Sequence, residues 1–468
     1  MQKTKIIATL GPACYKPKIA NNMIKAGLSV LRLNMSHVSS ALILKKNIKT
    51  FRREAKALNK NIAIMMDLSG PKVRVAEKTN IKIKKNTNYT IGHTNSDILL
   101  DKPLIFKNKN GSSLIKIDDG KFSFKIIKIS KHQLVIKALD NGFITSKKGV
   151  NFPGLTLNLP PVTKSDKENL KLAVELQIDW LAQSFVRSPN NILPIQRILK
   201  SYKVDIPIIA KIETVEAIKN LDSIIKKYNG ILVARGDLGV EMTLSDLPRL
   251  QKHIINQCIN YKKPCIVATQ MLESMISQSS PTRAEVNDVA NAIYDGVDAV
   301  MLSAETAVGL FPVESVEMMH NICVNIESDH NTSNFNRNII DSLSNKLTNN
   351  YLAICSAACF VSNNLDIQII VVLTDSGKTA IQMAQFRPKA NIVAITDSSK
   401  TYNQLSMIWG IIPFKILNVT NINTMYKKIN KQLSDNSLIK SGENFVLSSG
   451  AIKSIKNSTN MLQIYQAK

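Results

Sequence analysis

A chain of 468 residues, 44% apolar and 21% charged, has the make-up of a soluble globular protein with ample core, and its length corresponds to about three domains. No apolar run approaches a membrane span, which excludes a membrane-embedded class. A net charge of +26 raises nucleic-acid binding as a function class, but the lysines are scattered among Asn and Ile and no nucleic-acid module is present, so no more than weak, salt-sensitive adhesion is expected.

The first apolar run, Lys5-Ile-Ile-Ala-Thr-Leu, begins almost at once, leaving no room for a signal peptide; a cytoplasmic enzyme is expected. Eight such runs follow one another, over residues 5–9, 29–34, 62–67, 178–184, 206–213, 230–237, 264–270 and 298–305. Most are separated by helix-period segments, clearest at 281–294 with Val286, Val289 and Ile293 on one face. Strand and helix alternating eight times predict an α/β fold, a (β/α)8 TIM barrel with its polar residues at the C-terminal strand ends. Residues 1–71 and 161–328 form that barrel in this reading.

Residues 72–160 are too many for a βα loop and are strand-like at 81–84, 114–117, 122–129 and 134–137, which predicts an inserted small β-barrel domain. Asp118-Asp-Gly and Asp140-Asn-Gly read as its hairpin turns. An Asn- and Ser-rich segment at 331–350, containing a helix, marks a boundary. Strands at 369–374, 391–396, 414–417, 444–448 and 462–465 then alternate with helices, giving a C-terminal α/β domain over 329–468. In Thr374-Asp-Ser-Gly-Lys-Thr, Val372 stands where a phosphate loop needs glycine; a nucleotide site is not expected there, whereas a phosphate cradle at 376–379 stays open. The six cysteines show no zinc-like pairing, and Cys355 and Cys359 read as core thiols.

The chemistry concentrates at two strand ends. Ile206-Pro-Ile-Ile-Ala-Lys-Ile-Glu-Thr puts Lys211 and Glu213 on one side by the two-residue period, and Ile231-Leu-Val-Ala-Arg-Gly-Asp-Leu-Gly brings Arg235 and Asp237, with Gly236 and Gly239 permitting close backbone approach to an anion. One ammonium and two carboxylates at a sheet mouth suit a magnesium ion carrying a substrate phosphate; the plainer alternative is a strand-end ion pair.

AKIET and LVARGDLGVE stand in order with ATLGPAC, LRLNMSHV, DLSGPKVR, IDDG, KKGVNFPG, AQSFVR, ATQMLESM, PTRAEVNDVANA and MLSAETAVG, and together they resemble the pyruvate kinase family over almost the whole chain. The resemblance implies transfer of a phosphoryl group from phosphoenolpyruvate to ADP, with Mg2+ held by Glu213 and Asp237, in a homotetramer whose inserted domain is a mobile lid. It implies Lys211 as the main electrostatic stabiliser and Arg32 as a fork on the phosphate. The backbone of Arg235, Gly236 and Asp237 and the Thr269 hydroxyl then seat the substrate carboxylate, and Thr269 serves enolate protonation in a relay with Ser303 and Glu305. For the nucleotide it points to Pro12, His37, Arg74 and Lys148, and for a monovalent-cation pocket to Asn34, Ser36, Asp67 and Leu68.

Three departures from the family pattern matter. Lys72 stands in DLSGPKVR where potassium-dependent members carry glutamate, so its ammonium is expected to replace the bound K+. Ala304 replaces a usual glycine. The stretch with Lys453, Ile455, Lys456 and Asn457 lacks the usual glycines, which puts fructose-bisphosphate activation in doubt and leaves a phosphorylated effector in the C-terminal domain as an open expectation. The rivals are another magnesium-enolate barrel, such as an aldolase or lyase, and a basic nucleic-acid-associated protein that kept the barrel.

Overall fold

Side chains alternate across a strand, so eight apolar strands can fill a barrel with one set of residues and seat helices on the other. The structure, a computed structural model, describes all residues except 38–39, 78, 106–113, 156, 330–349, 417–421 and 451–458. Strands Lys5–Thr9, Leu28–Asn34, Ala63–Leu68, Trp180–Gln183, Ile208–Ile212, Gly230–Ala234, Cys265–Ala268 and Ala299–Leu302 close into a barrel whose neighbours all run parallel. Ile7, Val30, Met65, Ala182, Ile209, Leu232 and Ile266 form the inward set, in one buried cluster. Their chain neighbours Ile6, Leu31, Met66, Leu181, Ala210, Ile231 and Val267 belong to a second cluster, beneath the helices.

The helix read from periodicity at 281–294 spans Arg283–Tyr294. Thr282 caps it: its hydroxyl accepts from Glu285 N, and the Glu285 carboxylate accepts from Thr282 N at 2.7 Å. Pro281 therefore stops just outside the helix. Val289 and Ile293 are buried, with Val286 packed beside them.

Trp180–Gln183 pairs directly with Ala63–Leu68, so the intervening residues are an excursion from the barrel. They form a seven-stranded sheet and a two-stranded sheet around an apolar core containing Ile115, Ile117, Phe122, Phe124, Leu134 and Ile136. Asp118-Asp-Gly is a hairpin turn, with left-handed φ at Asp118 and Asp119 joining Leu114–Ile117 to Phe122–Ile129. Asp140-Asn-Gly is not a hairpin turn. The strand after it, Gly142–Ile144, pairs with Ile81–Ile83 in the other sheet, while Gln133–Ala138 pairs with Phe122–Ile129 and Asn88–Gly92. Asp140 and Asn141 turn their side chains onto the backbone N–H groups of Ser123 and Lys85. Gly142 is needed for space: a Cβ there would lie 2.2 Å from the Phe122 ring.

The C-terminal region is a five-stranded sheet ordered Ile411–Lys415, Asn391–Thr396, Ile369–Leu373, Asn444–Gly450, Thr459–Gln466, parallel except for the last strand. The strand expected at 414–417 begins earlier, at Ile411, and residue 417 lies outside the described residues. So do the helix expected within 331–350, apart from Asn350 itself, and the stretch carrying Lys453, Ile455, Lys456 and Asn457. All six cysteines are buried, Cys355 and Cys359 on helix Asn350–Asn364. No described helix is long and apolar enough to cross a membrane.

This sheet domain sits against the N-terminal face of the barrel. Arg387 reaches Asp298 at 3.2 Å and the Gly296 carbonyl at 2.8 Å, with its guanidinium 4.6 Å from the Trp409 ring centre. Arg387 and Asp298 are both almost fully buried, so removing one leaves an uncompensated charge. Arg387→Leu should cost about 3 kcal/mol and lower the thermal midpoint, and Arg387→Leu/Asp298→Asn should regain most of it. A midpoint unchanged in the single variant contradicts this.

Candidate active site

The inward set that fills the barrel continues beyond its apolar layers. Above Val30, Met65, Ala182 and Ile209, two residues further along each chain, stand Arg32, Asp67, Ser184 and Lys211, and Glu213 is the next inward position after Lys211. Lys211 Nζ donates to Ser184 Oγ at 2.8 Å and lies 2.8 Å from Glu213 Oε1 and 3.3 Å from Asp67 Oδ1. Arg32 donates to Asp67 Oδ2 through Nε at 2.9 Å and Nη2 at 2.6 Å, and its Nη1 reaches Thr9 Oγ1 at 3.0 Å. Ser184 Oγ closes the ring by donating to Asp67 Oδ1 at 3.3 Å. Asp67 is 2% and Glu213 1% exposed, so these are buried charges held by mutual compensation.

The electrostatics follow. Burial disfavours the charged form of Lys211, but Asp67 and Glu213 outweigh it and hold the ammonium well above its ordinary range. Burial likewise opposes ionisation of Asp67, and Lys211 and Arg32 overcome it, pulling that carboxyl down. Glu213 goes the other way: burial and the negative charge of Asp237 raise it against the pull of Lys211. Glu213 Oε2 also accepts from Phe185 N at 2.6 Å, which fixes its orientation.

Asp237 comes from helix Arg235–Glu241, which begins directly after strand Gly230–Ala234. The Arg235 side chain is a clamp within the protein, donating to the carbonyls of Thr269 at 2.6 Å and Gln270 at 3.1 Å and pairing with Asp288. Gly236 N donates to Thr269 Oγ1 at 2.8 Å, so that backbone group and hydroxyl are joined. Thr269 and Gln270 both have left-handed backbone, φ 71° and 54°, a strained pair of non-glycine residues at the strand end. Glu305 is fully buried, its Oε2 accepting from Ser303 N at 2.6 Å and its Oε1 from Leu272 N at 3.2 Å.

Lys72 differs from expectation in where its charge lies. Its Nζ donates to Asp237 Oδ1 at 3.0 Å and stands 3.6 Å from Asp119 Oδ1, with no hydrogen bond or ion pair to Asn34, Ser36, Asp67 or Leu68. Burial would lower this ammonium, but Asp237, Asp119 and Glu213 raise it, and that acidic side of the mouth is what attracts it. Asn34 Oδ1 accepts from Ser36 N at 3.2 Å, Met35 N donates to the Asp67 carbonyl at 3.0 Å, and Leu68 is buried at its strand end. No hydrogen bond or ion pair among the described residues joins the four nucleotide candidates to the central cluster. Pro12 is exposed in the short helix Pro12–Cys14, Arg74 bonds the Lys147 carbonyl at 3.0 Å, and Lys148 pairs with Asp118 at 2.8 Å. His37 is exposed, and desolvation and the positive charges of Arg74, Arg32 and Lys72 lower its imidazole below the usual range.

Two contributors escaped the sequence reading. Ser184 could have been found by counting parity onward from Ala182. Asp119 had no local signal, because only the folded hairpin brings it to Lys72. The inserted domain is also fastened to the helix of Asp237: Asn151, at the end of strand Gly149–Asn151, donates through Nδ2 to Glu241 Oε1 at 2.9 Å. Burial raises Glu241 to about 7. Between the usual glutamate value of about 4.3 and that point, the folded protein keeps a proton the unfolded chain has lost, so stability falls as pH rises through this window. Glu241→Gln should therefore gain stability relative to the parent from pH 5 to pH 8, in paired thermal melts. A constant difference across that range contradicts it.

Comparison with known proteins places this geometry. The family model described as pyruvate kinase, barrel domain, matches residues 1–316, and that described as pyruvate kinase, alpha/beta domain, matches residues 352–465. The chain is 35% identical to pyruvate kinase 2 of Synechocystis sp., covering 100% of this chain and 80% of that protein. It is 36% identical to a pyruvate kinase of Bacillus licheniformis, over 99% and 80% respectively. The crystal structure of a pyruvate kinase from Cryptosporidium parvum superposes with a TM-score of 0.92 at 31% identity, covering 100% of this chain and 96% of that one.

Proposed function

We propose roles for these side chains from the premise that the chain belongs to the pyruvate kinase family. It is a pyruvate kinase, taking phosphoenolpyruvate and ADP to pyruvate and ATP. The observation that carries the assignment of roles is the buried Lys211 ammonium, kept charged by Asp67 and Glu213 at the barrel mouth. Phosphoryl transfer asks the protein for in-line positioning and fixed positive charge, not for covalent chemistry. Lys211 supplies that charge to the phosphoryl group in flight and to the enolate left behind. Arg32, oriented by Asp67 and Thr9, presents its fork to the substrate phosphate.

Pyruvate kinases generally use Mg2+, and the donor set here fits it. Glu213 and Asp237 offer hard carboxylate oxygens, and Mg2+ typically takes one or two carboxylates together with substrate oxygens. Burial, and then the negative charge of Asp237, raises Glu213, and a bound dication would relieve that repulsion. When bound, the ion supplies positive charge to the enolate oxygen and carboxylate of the substrate. The Arg235–Gly236–Asp237 backbone, at the start of its helix, and the Thr269 hydroxyl seat that carboxylate. Thr269, joined to Gly236 N, is the residue nearest to proton delivery, with Ser303 and Glu305 behind it.

Pro12 and His37 flank the adenosine, and Arg74 and Lys148 meet the nucleotide phosphates, Lys148 exchanging Asp118 for phosphate as the lid closes. Lys72 bears on the cation requirement. A fixed ammonium among Asp237, Asp119 and Glu213 does the electrostatic work of a monovalent ion, with Asn34, Ser36, Asp67 and Leu68 left as the vestige of its pocket. A homotetramer in the cytoplasm, a phosphorylated effector near residues 376–379 and no specific nucleic-acid partner complete this reading, on family resemblance.

The test is pyruvate formation by purified protein from phosphoenolpyruvate and ADP with Mg2+, in a buffer whose only monovalent cation is a bulky organic one. Full turnover, little changed by added potassium, is the expected result. Turnover that appears only with potassium rejects the Lys72 role, and none under either condition rejects the site.

A further inference from the structure

Strand Cys265–Ala268 runs into a backbone that its residue types do not favour. Thr269 and Gln270 have φ of 71° and 54°, and a β-branched residue such as threonine resists the left-handed region. Such a conformation persists only where surrounding contacts over-determine it, and here they do. Arg235 Nη2 donates to the Thr269 carbonyl at 2.6 Å and the Gln270 carbonyl at 3.1 Å, and lies 2.8 Å from Met271 Sδ. Gly236 N, one residue on, donates to Thr269 Oγ1 at 2.8 Å, and that hydroxyl donates in turn to the Ala268 carbonyl at 2.5 Å. Arg235 and Gly236 thus grip Thr269 at both its carbonyl and its hydroxyl, in a closed ring of contacts.

One carboxylate anchors that ring to the rest of the barrel. The Arg235 side chain is buried, Nη2 is spent on the acceptors just named, and Nε has no partner among the described residues. Nη1 donates to Asp288 Oδ2, and no other carboxylate among the described residues pairs with Arg235. Asp288 is half-buried and pairs with no other cation among the described residues. Its helix, Arg283–Tyr294, is fixed at its start, where Glu285 accepts from the N–H groups of Thr282 and Ser274, both at 2.7 Å. A planar fork with one nitrogen on that carboxylate and the other on the carbonyls is held in one orientation.

We propose, resting on the role given above to Thr269, that Asp288 is a positioning residue for enolate protonation: through Arg235 it holds Thr269 in its left-handed conformation, with the hydroxyl toward the substrate. Without the charge of Asp288 the guanidinium is free to turn, and Thr269 relaxes toward an ordinary backbone. Lys211 and Arg32 stand on other strands and keep their places, so the proton step suffers and nucleotide binding does not.

The experiment follows exchange of the pyruvate methyl protons into D2O by NMR, with Mg2+ and ATP, beside steady-state turnover of phosphoenolpyruvate and ADP. In the exchange a methyl C–H bond breaks to give the enolate and its proton passes to the relay. A deuteron from solvent then returns to the same carbon, with no net change of charge. In Asp288→Asn, exchange and kcat should fall ~10- to 100-fold, the scale of a misplacement of about 1 Å, while KM for ADP stays unchanged. Adding Asp288→Asn to Arg235→Met should cost nothing further, because the carboxylate then has nothing to hold. If Asp288→Asn melts below the parent, rates are compared at a temperature where both are folded, and the Arg235→Met pair decides. Parental exchange in folded Asp288→Asn, a KM for ADP raised alongside the loss, or additive losses in the double variant overturns the proposal. Thr269→Val separates the premise. If it exchanges like the parent, the role of Thr269 fails and the proposal with it; a crippled Thr269→Val beside a parental Asp288→Asn overturns the proposal alone.

Discussion

Everything at the catalytic mouth hangs on one buried carboxylate. Asp67, 2% exposed, receives Arg32 through two nitrogens, the Ser184 hydroxyl and the charge of Lys211. Charges taken out of water are costly unless geometry and hydrogen bonding return the lost solvation, and breaking such a set by removing one member is costlier than never having built it. The arrangement makes sense as pre-organisation. Two cations are held in fixed positions at the barrel mouth, the pre-organised positive charge that the proposed roles of Arg32 and Lys211 call for.

The barrel makes that arrangement possible with little local instruction. The same side-chain parity that packs Val30, Met65, Ala182 and Ile209 inside the barrel carries Arg32, Asp67, Ser184 and Lys211 to its rim. The excursion between the third and fourth strands adds further charges beside that rim. Lys72 at its root meets Asp237 of the barrel and Asp119 of its own hairpin, and Asn151 meets Glu241, so the position of the inserted sheets and the electrostatics of Asp237 are coupled. Glu241 lies one helical turn beyond Asp237, which makes the contact sensitive to any shift of that helix.

How much was legible in the sequence divides along local and non-local lines. The eight barrel strands could be read because each is a short apolar run ending in polar residues, and Lys211 and Glu213 could be paired because their spacing is two. The Asp140-Asn-Gly turn misled, because its residues serve as side-chain acceptors at a crossing between sheets, a use the tripeptide does not distinguish from a hairpin. Lys72 was legible as an unusual cation, but its partner Asp119 was not, because the pair depends on how the hairpin folds back. The left-handed backbone at Thr269 and Gln270 left no trace in residue type, since neither position is glycine. Tertiary contacts impose that conformation, with Arg235 gripping both carbonyls.

The most direct test of this account is the turnover number of Asp67→Asn for pyruvate formation, measured beside its thermal midpoint. Asparagine keeps the shape and removes the charge that orients Arg32 and holds Lys211 protonated. The account predicts a folded protein whose turnover falls by about 10²–10³-fold, the scale of losing a pre-organised electrostatic contact. A folded variant turning over at the parental rate would contradict it.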